Sequence, residues 1–201
     1  MAATLAFWYE FASTYSYPAA ARIEAGANTA GVAVEWRPFL LGPIFAAQGW
    51  TDSPFNLYPV KGRYMWRDLE RICAREGLPF RRPSRFPRNS LLAARVALIA
   101  AGEGWGAEFT RAVYRANFAE DRDIADADVI GGVLSALGRP AAPILARAGS
   151  PEIKQRLKAQ NEEAVALGIF GAPSFTIAGE LFWGNDRFDE AIAWARRAVA
   201  A

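Results

Sequence analysis

The sequence predicts an α/β domain interrupted by a helical insertion. Three observations carry this. Short apolar runs of strand character occur near the two ends of the chain, at Leu5–Tyr9 and Val32–Phe39, then at Ser174–Ala178 and Leu181–Trp183. From Leu41 to about residue 167 no convincing strand appears, and the apolar residues recur at helical spacing. The element order therefore reads β-α-β, a helical block, then α-β-β-α, with no internal repeat, linker or low-complexity segment.

Leu5-Ala6-Phe7-Trp8-Tyr9 is an apolar and aromatic run suited to a buried strand. Ala12 to Pro18 carries hydroxyls and opens into the alanine-rich run Ala19–Ala27, which is a helix start. A strand feeding a helix N-terminus puts Ser13 where free backbone N–H groups and the helix dipole favour an anion. A plain N-cap role for Ser13 or Thr14 accounts for the same residues. Gly31 breaks the helical pattern, and Val32–Phe39 alternates as a second strand ended by Pro38. A parallel pair with a right-handed crossover is expected.

Leu41-Gly42-Pro43 reads as a break. Leu57 to Glu76 reads as a helix with Tyr58, Met65, Leu69, Ile72 and Cys73 at mostly helical spacing, stopped by Gly77-Leu78-Pro79. Phe80 to Asn89 is a loop rich in proline and arginine. Further helices are expected at Leu91–Ala101, at Trp105–Ala119, after Asp126 as a cap, over Ala141–Ala148, and from Ser150-Pro151 to Gly168. Gly179-Glu180 reads as a hairpin turn. Asn185 or Asp186 reads as the cap of a last helix whose buried face is Phe188, Ile192, Ala195 and Val199.

Composition excludes more than it suggests. Of 201 residues 52% are hydrophobic and 22% charged, enough apolar material for a filled core. A net charge of +2 provides no broad footprint for nucleic acid. No signal-like leader and no apolar run long enough to span a bilayer is seen, so a cytoplasmic protein is expected. The chain has no histidine, which excludes a Ser-His-Asp triad, a histidine base and a histidine-ligated zinc site. Its one cysteine, Cys73, allows no intramolecular disulfide and no C-x-x-C pair, and reads as a small core residue.

Four stretches resemble a known family in order along the chain. They are Ser13-Thr14-Tyr15-Ser16-Tyr17, the run Asn56 to Leu69, Phe86-Pro87-Arg88-Asn89-Ser90, and Trp183-Gly184-Asn185-Asp186-Arg187. With Gly171-Ala172-Pro173 before the third strand, they are similar to the 2-hydroxychromene-2-carboxylate isomerases and the kappa-class glutathione transferases. The resemblance implies an α/β, thioredoxin-like fold of the DsbA arrangement with an inserted all-helical domain. Residues 1–41 and 150–201 would form the thioredoxin-like domain and 42–149 the insertion. Two departures stand out: Thr14 where the family usually has proline, and Glu10 where it more often has aspartate.

The resemblance also implies glutathione as cofactor, a small aromatic carboxylate as substrate, and a homodimer. A serine hydroxyl attacks poorly without a base, so Ser13 reads as a donor to a thiolate that the ligand brings. The helix dipole contributes about 0.3–1 kcal/mol and a charge-assisted hydrogen bond about 1.5–3 kcal/mol, enough to draw a bound thiol toward neutrality. The Ala172 backbone, next to a cis Pro173, would pair with the glutathione peptide. Asn185 and Asp186 would hold its γ-glutamyl end; Trp183, Asn56 and Lys61 are further glutathione contacts. Lys61, Tyr64 and Asn89 are candidate substrate contacts, with Arg95 and the loop arginines behind them. A transferase that leaves the adduct in place, and a non-catalytic thioredoxin-fold binding module, are the alternatives.

Overall fold

The computed structural model describes residues 3–200, with side chains to Arg197. Strand β1 (Thr4–Tyr9) is central in a four-stranded sheet of order β2-β1-β3-β4, completed by β2 (Ala33–Pro38), β3 (Ser174–Ile177) and β4 (Glu180–Trp183). β2 lies parallel to β1, as the connection through helix α1 (Ser16–Thr29) requires. β3 is antiparallel to β1, with Phe7 opposite Phe175 and Trp8 opposite Ser174, and β4 is antiparallel to β3.

The period of two in β1 serves both faces of the sheet. Leu5, Phe7 and Tyr9 enter the main core, where Phe7 stacks on Phe175 with centroids 5.5 Å apart. Trp8 enters a smaller cluster with Phe39, Ile44, Ala164 and Ile169. Burial on both sides explains why the strand is almost wholly apolar.

Between β2 and β3 stand α2 (Leu41–Ala47), α3 (Pro54–Leu57), α4 (Pro59–Arg75), α5 (Leu91–Gly102), α6 (Gly106–Phe118), α7 (Ala127–Ala136), α8 (Ala141–Ala148) and α9 (Pro151–Ala166); α10 (Phe188–Ala200) follows β4. Asp126 and Ser150 cap α7 and α9, accepting from the N–H groups of Asp128 and Ile153. Cys73 is buried in α4, and burial pushes its thiol up to about 11, as a core residue requires.

Four local expectations change. Leu41-Gly42-Pro43 starts α2 rather than breaking the chain, because proline in a first turn removes an N–H that has no helical partner anyway. The expected helix from Leu57 is two: Tyr58 is extended at φ −120°, ψ 90°, the conformation that a following proline favours, and it separates α3 from α4. The hairpin turn falls on Ala178-Gly179, both at positive φ (49° and 81°), one residue earlier than expected. The side chains of Asn185 and Asp186 do not cap α10: a 3₁₀ turn over Asn185–Arg187 leads into it without a side-chain cap. Val199 lies outside the residues whose side chains are described.

The helical block fastens the end of β1 through polar groups. Tyr9 shares a 2.7 Å hydrogen bond with Thr110, the Tyr114 hydroxyl donates to the Glu10 carbonyl at 2.9 Å, and the Asn117 amide donates to the Phe11 carbonyl at 3.0 Å. The buried Glu10 carboxylate accepts from the Ala12 N–H at 2.8 Å and from the Ser90 hydroxyl at the start of α5. Burial pushes this carboxyl up to about 7, against the lowering effect of those donors.

Two predictions follow from this packing. The unfolded Glu10 ionises near 4.5 and the folded one near 7, so between those values the folded state holds the extra proton and stability falls as pH rises. Urea unfolding of the native protein should lose about 3 kcal/mol from this group between pH 4.5 and pH 8. Glu10→Gln, which keeps an acceptor for Ala12 and places a donor toward Ser90, should lack that loss. Equal pH profiles for the two proteins would refute the assignment. Separately, a Cβ on Gly62 would sit 2.2 Å from the Phe55 carbonyl oxygen, so α3 and α4 meet only with glycine there. Gly62→Ala should lower stability by about 1–3 kcal/mol in thermal unfolding.

Candidate active site

A cleft of about 1280 Å³ opens where the turns after β1 and before β3 meet α2–α4, the Phe86–Leu91 segment and the residues after β4. Ser13 is central to its polar wall. Its N–H donates to the Glu10 carbonyl at 2.9 Å, and its hydroxyl donates to the Ala172 carbonyl at 2.8 Å. The Ser16 N–H reaches the same hydroxyl at 3.4 Å. The Ala172–Pro173 peptide is cis.

The N-cap reading of Ser13 or Thr14 is corrected. Helix α1 begins at Ser16 and Tyr15 occupies the cap position without a side-chain bond, although the Ser13 hydroxyl, from before the cap, accepts from the first helical N–H. Ser13 precedes the helix, engaged across the sheet with Ala172. Thr14 lines the cleft too; its Oγ1 is buried and has no partner. Gly171 is required by what lies beside it: a Cβ there would fall 2.3 Å from the indole nitrogen of Trp183. Trp183 in turn packs on Phe170, centroids 4.8 Å apart, and both rings are about half exposed at the cleft.

The structure brings Ser13, Lys61, Tyr64, Asn89, Ala172, Pro173, Trp183, Asn185 and Asp186 to this one cleft. Asn185 is buried and turned partly inward: its Oδ1 accepts from Arg22 of α1 at 3.3 Å, and its carbonyl accepts from the same guanidinium. Lys61 sits 4.9 Å from the Tyr58 ring centroid. Asn89 uses its side-chain Oδ1 to accept from the Leu91 N–H at 2.9 Å, at the start of α5. Asn56 is not on the wall; its amide donates to Asp52 at 3.0 Å and to the Phe86 carbonyl at 3.1 Å, joining two segments that are. Arg95 is also off the cleft. Among Arg81, Arg82, Arg85 and Arg88, Arg88 reaches the wall, and its buried guanidinium is taken up by Asp121, Asn117 and the Arg122 carbonyl.

Three contributors were not singled out from sequence as site residues. Glu10 lines the cleft and holds the turn that carries Ser13; its place three residues before Ser13 was the available signal. Tyr15 donates to Asp68 at 3.1 Å on the same wall, and burial with the Asp68 charge raises its phenol well above the ordinary value. Phe170 has no periodicity to mark it. Among the described residues no three His, Cys, Asp or Glu side chains gather for a metal ion, and no helix is long and apolar enough to cross a membrane.

The comparisons with known proteins agree with this architecture. The DSBA-like thioredoxin domain matches residues 4–192. The chain is 30% identical over 190 residues to the 2-hydroxychromene-2-carboxylate isomerase of Sphingobium xenophagum, covering 94% of this chain and 96% of that one. It is 26% identical over 183 residues to the protein of that name from Pseudomonas putida, covering 90% and 88%. A solved 2-hydroxychromene-2-carboxylate isomerase structure superposes with a TM-score of 0.86 at 24% identity, over 98% of each chain, and shares the fold. By family match, relatives and fold together, the chain belongs to the 2-hydroxychromene-2-carboxylate isomerase family of enzymes, within the DSBA-like thioredoxin domains.

Proposed function

We propose that this enzyme is a glutathione-dependent isomerase of 2-hydroxychromene-2-carboxylate, or of a similar small aromatic carboxylate from aromatic breakdown, working in the cytoplasm. The observation that carries the reading is the Ser13 hydroxyl, set on the Ala172 carbonyl beside cis Pro173, on the wall of a cleft that contains no histidine. A hydroxyl without a base is a donor, not a nucleophile. A thiol cofactor and a lone buried cysteine suit a reducing compartment.

The residues present fit a thiol tripeptide. The cleft exceeds the roughly 300–1,000 Å³ of ordinary small-molecule sites, which leaves room for a peptide and an aromatic acid together. Thr14 Oγ1, beside Ser13, is an orphaned polar atom that an incoming ligand can satisfy. Ser13 and the Ala172–Pro173 backbone would hold the cysteinyl part, and Trp183, Asn185 and Asp186 the γ-glutamyl end. When bound, glutathione would supply a thiolate for reversible addition to a conjugated carbon of the ring-opened substrate, which would free rotation about the former double bond before elimination restores that bond and the thiolate.

The protein's part is positioning and charge stabilisation. Ser13 turns its proton from Ala172 toward the sulfur and favours the thiolate over the thiol. Lys61 meets the substrate carboxylate, since Arg88 is engaged with Asp121. The Phe170–Trp183 pair and Tyr64 offer flat apolar faces to the ring.

Titration calorimetry of reduced glutathione in buffers of different ionisation enthalpy tests the reading. The native protein should bind glutathione and release the thiol proton near neutral pH. Ser13→Ala should raise the bound thiol pKa by about 1–2 units and lower kcat/KM about ten- to a hundredfold. No binding at millimolar glutathione would overturn the proposal. With a chromene carboxylate as substrate, free glutathione should stay constant as product forms; its loss in step with product would identify a transferase instead.

A further inference from the structure

Arg95 belongs to a second hollow, of about 660 Å³, between α5 and α9. Leu40, Pro43 and Leu91 line both this hollow and the Ser13 cleft and form the wall between them. That wall is fixed from the hollow side. The Asn161 side chain accepts from the Leu40 N–H at 3.1 Å and donates to the Leu40 carbonyl at 2.8 Å.

The charge of the hollow is unbalanced. Arg95, Lys154 and Lys158 line it against one carboxylate, Glu162. Glu162 stands 3.7 Å from Lys158, one turn away on the exposed face of α9, a pairing that solvent screens. The Arg95 Nε–H is shut off from solvent and has no acceptor. Buried donors are nearly always satisfied, so an orphaned guanidinium N–H on a cavity wall marks a place for an acceptor. The remaining walls are apolar: Leu40, Pro43, Leu91, Leu157 and Val165.

We propose that this hollow is a second binding site, for a small carboxylate with an apolar body. The carboxylate is received by Arg95 with help from Lys154, and the body lies on Leu91, Leu157 and Val165. One half-buried guanidinium and two exposed lysines suit a monoanion, and the apolar walls favour an aromatic or aliphatic acid over a free phosphate. The site stands whether or not the Ser13 cleft takes glutathione, because none of its charged residues lines that cleft.

Titration of 2-naphthoate, with 2-naphthamide and inorganic phosphate as comparators, tests it. The native protein should show a naphthoate site that weakens about ten- to a hundredfold in Arg95→Met. Lys154→Gln, on the exposed face of α9 and without consequence for folding, should weaken the same site about two- to fivefold. Lys61→Ala and Trp183→Ala, on the cleft, should leave it in place. A naphthoate site unchanged in both Arg95→Met and Lys154→Gln overturns the proposal, as does one lost only in the cleft variants. No binding at millimolar naphthoate, or equal binding of phosphate, overturns it as well.

Discussion

The antiparallel contact between β1 and β3 is the constraint on which the cleft depends. With Trp8 opposite Ser174, the chain leaving β1 and the chain entering β3 emerge at the same end of the sheet. Ser13 and Ala172, 159 residues apart, then lie within one 2.8 Å hydrogen bond. The aromatic stack of Phe7 on Phe175 fixes that register in the core. A slip by one residue would reverse every side chain of β1 and send Trp8 into the helical core. Site geometry and core packing are therefore one requirement.

Buried polar groups hold the loops around this frame. Glu10 joins the Ser13 turn to the start of α5, and Arg22 joins α1 to the segment that carries Asn185. Arg88 gathers the loop before α5 onto the end of α6, with Asp121 held down to about 2 by the Ser84 N–H and by the Arg88 guanidinium. These contacts engage several groups nearest the cleft in structural work, and leave Ser13, Lys61 and the Phe170–Trp183 rings at its open face. The absence of histidine excludes proton abstraction by an imidazole and is in keeping with the proposed stabilisation of a charge.

The apolar run of β1, the alternation of Val32–Phe39 and the helical spacing through the insertion were readable because each is a local pattern in the chain. Ser13, Lys61, Pro173 and Trp183 were readable as a group because their motifs resemble a family in order. The helix entry at Ser16 was not, since Ser13 and Thr14 look like caps and the bond of Ser13 to Ala172 across the sheet is not a local feature. The roles of Asn185 and Arg88 were hidden for a related reason: each depends on a partner, Arg22 or Asp121, that no local pattern announces. Asn56 shows the opposite case. It lies in a matched stretch, yet its amide joins Asp52 to Phe86 behind the wall.

The sheet order also bears on how the chain is made. β1 is central, but its second neighbour, β3, lies at residues 174–177. At about 5–20 residues per second, synthesis leaves that edge open for roughly ten to thirty seconds. During this time an almost wholly apolar strand has β2 on one side and bare backbone donors and acceptors on the other. The most aromatic stretch of the protein is thus a nascent-chain hazard, and the helical insertion, synthesised in the interval, is the material at hand to cover it.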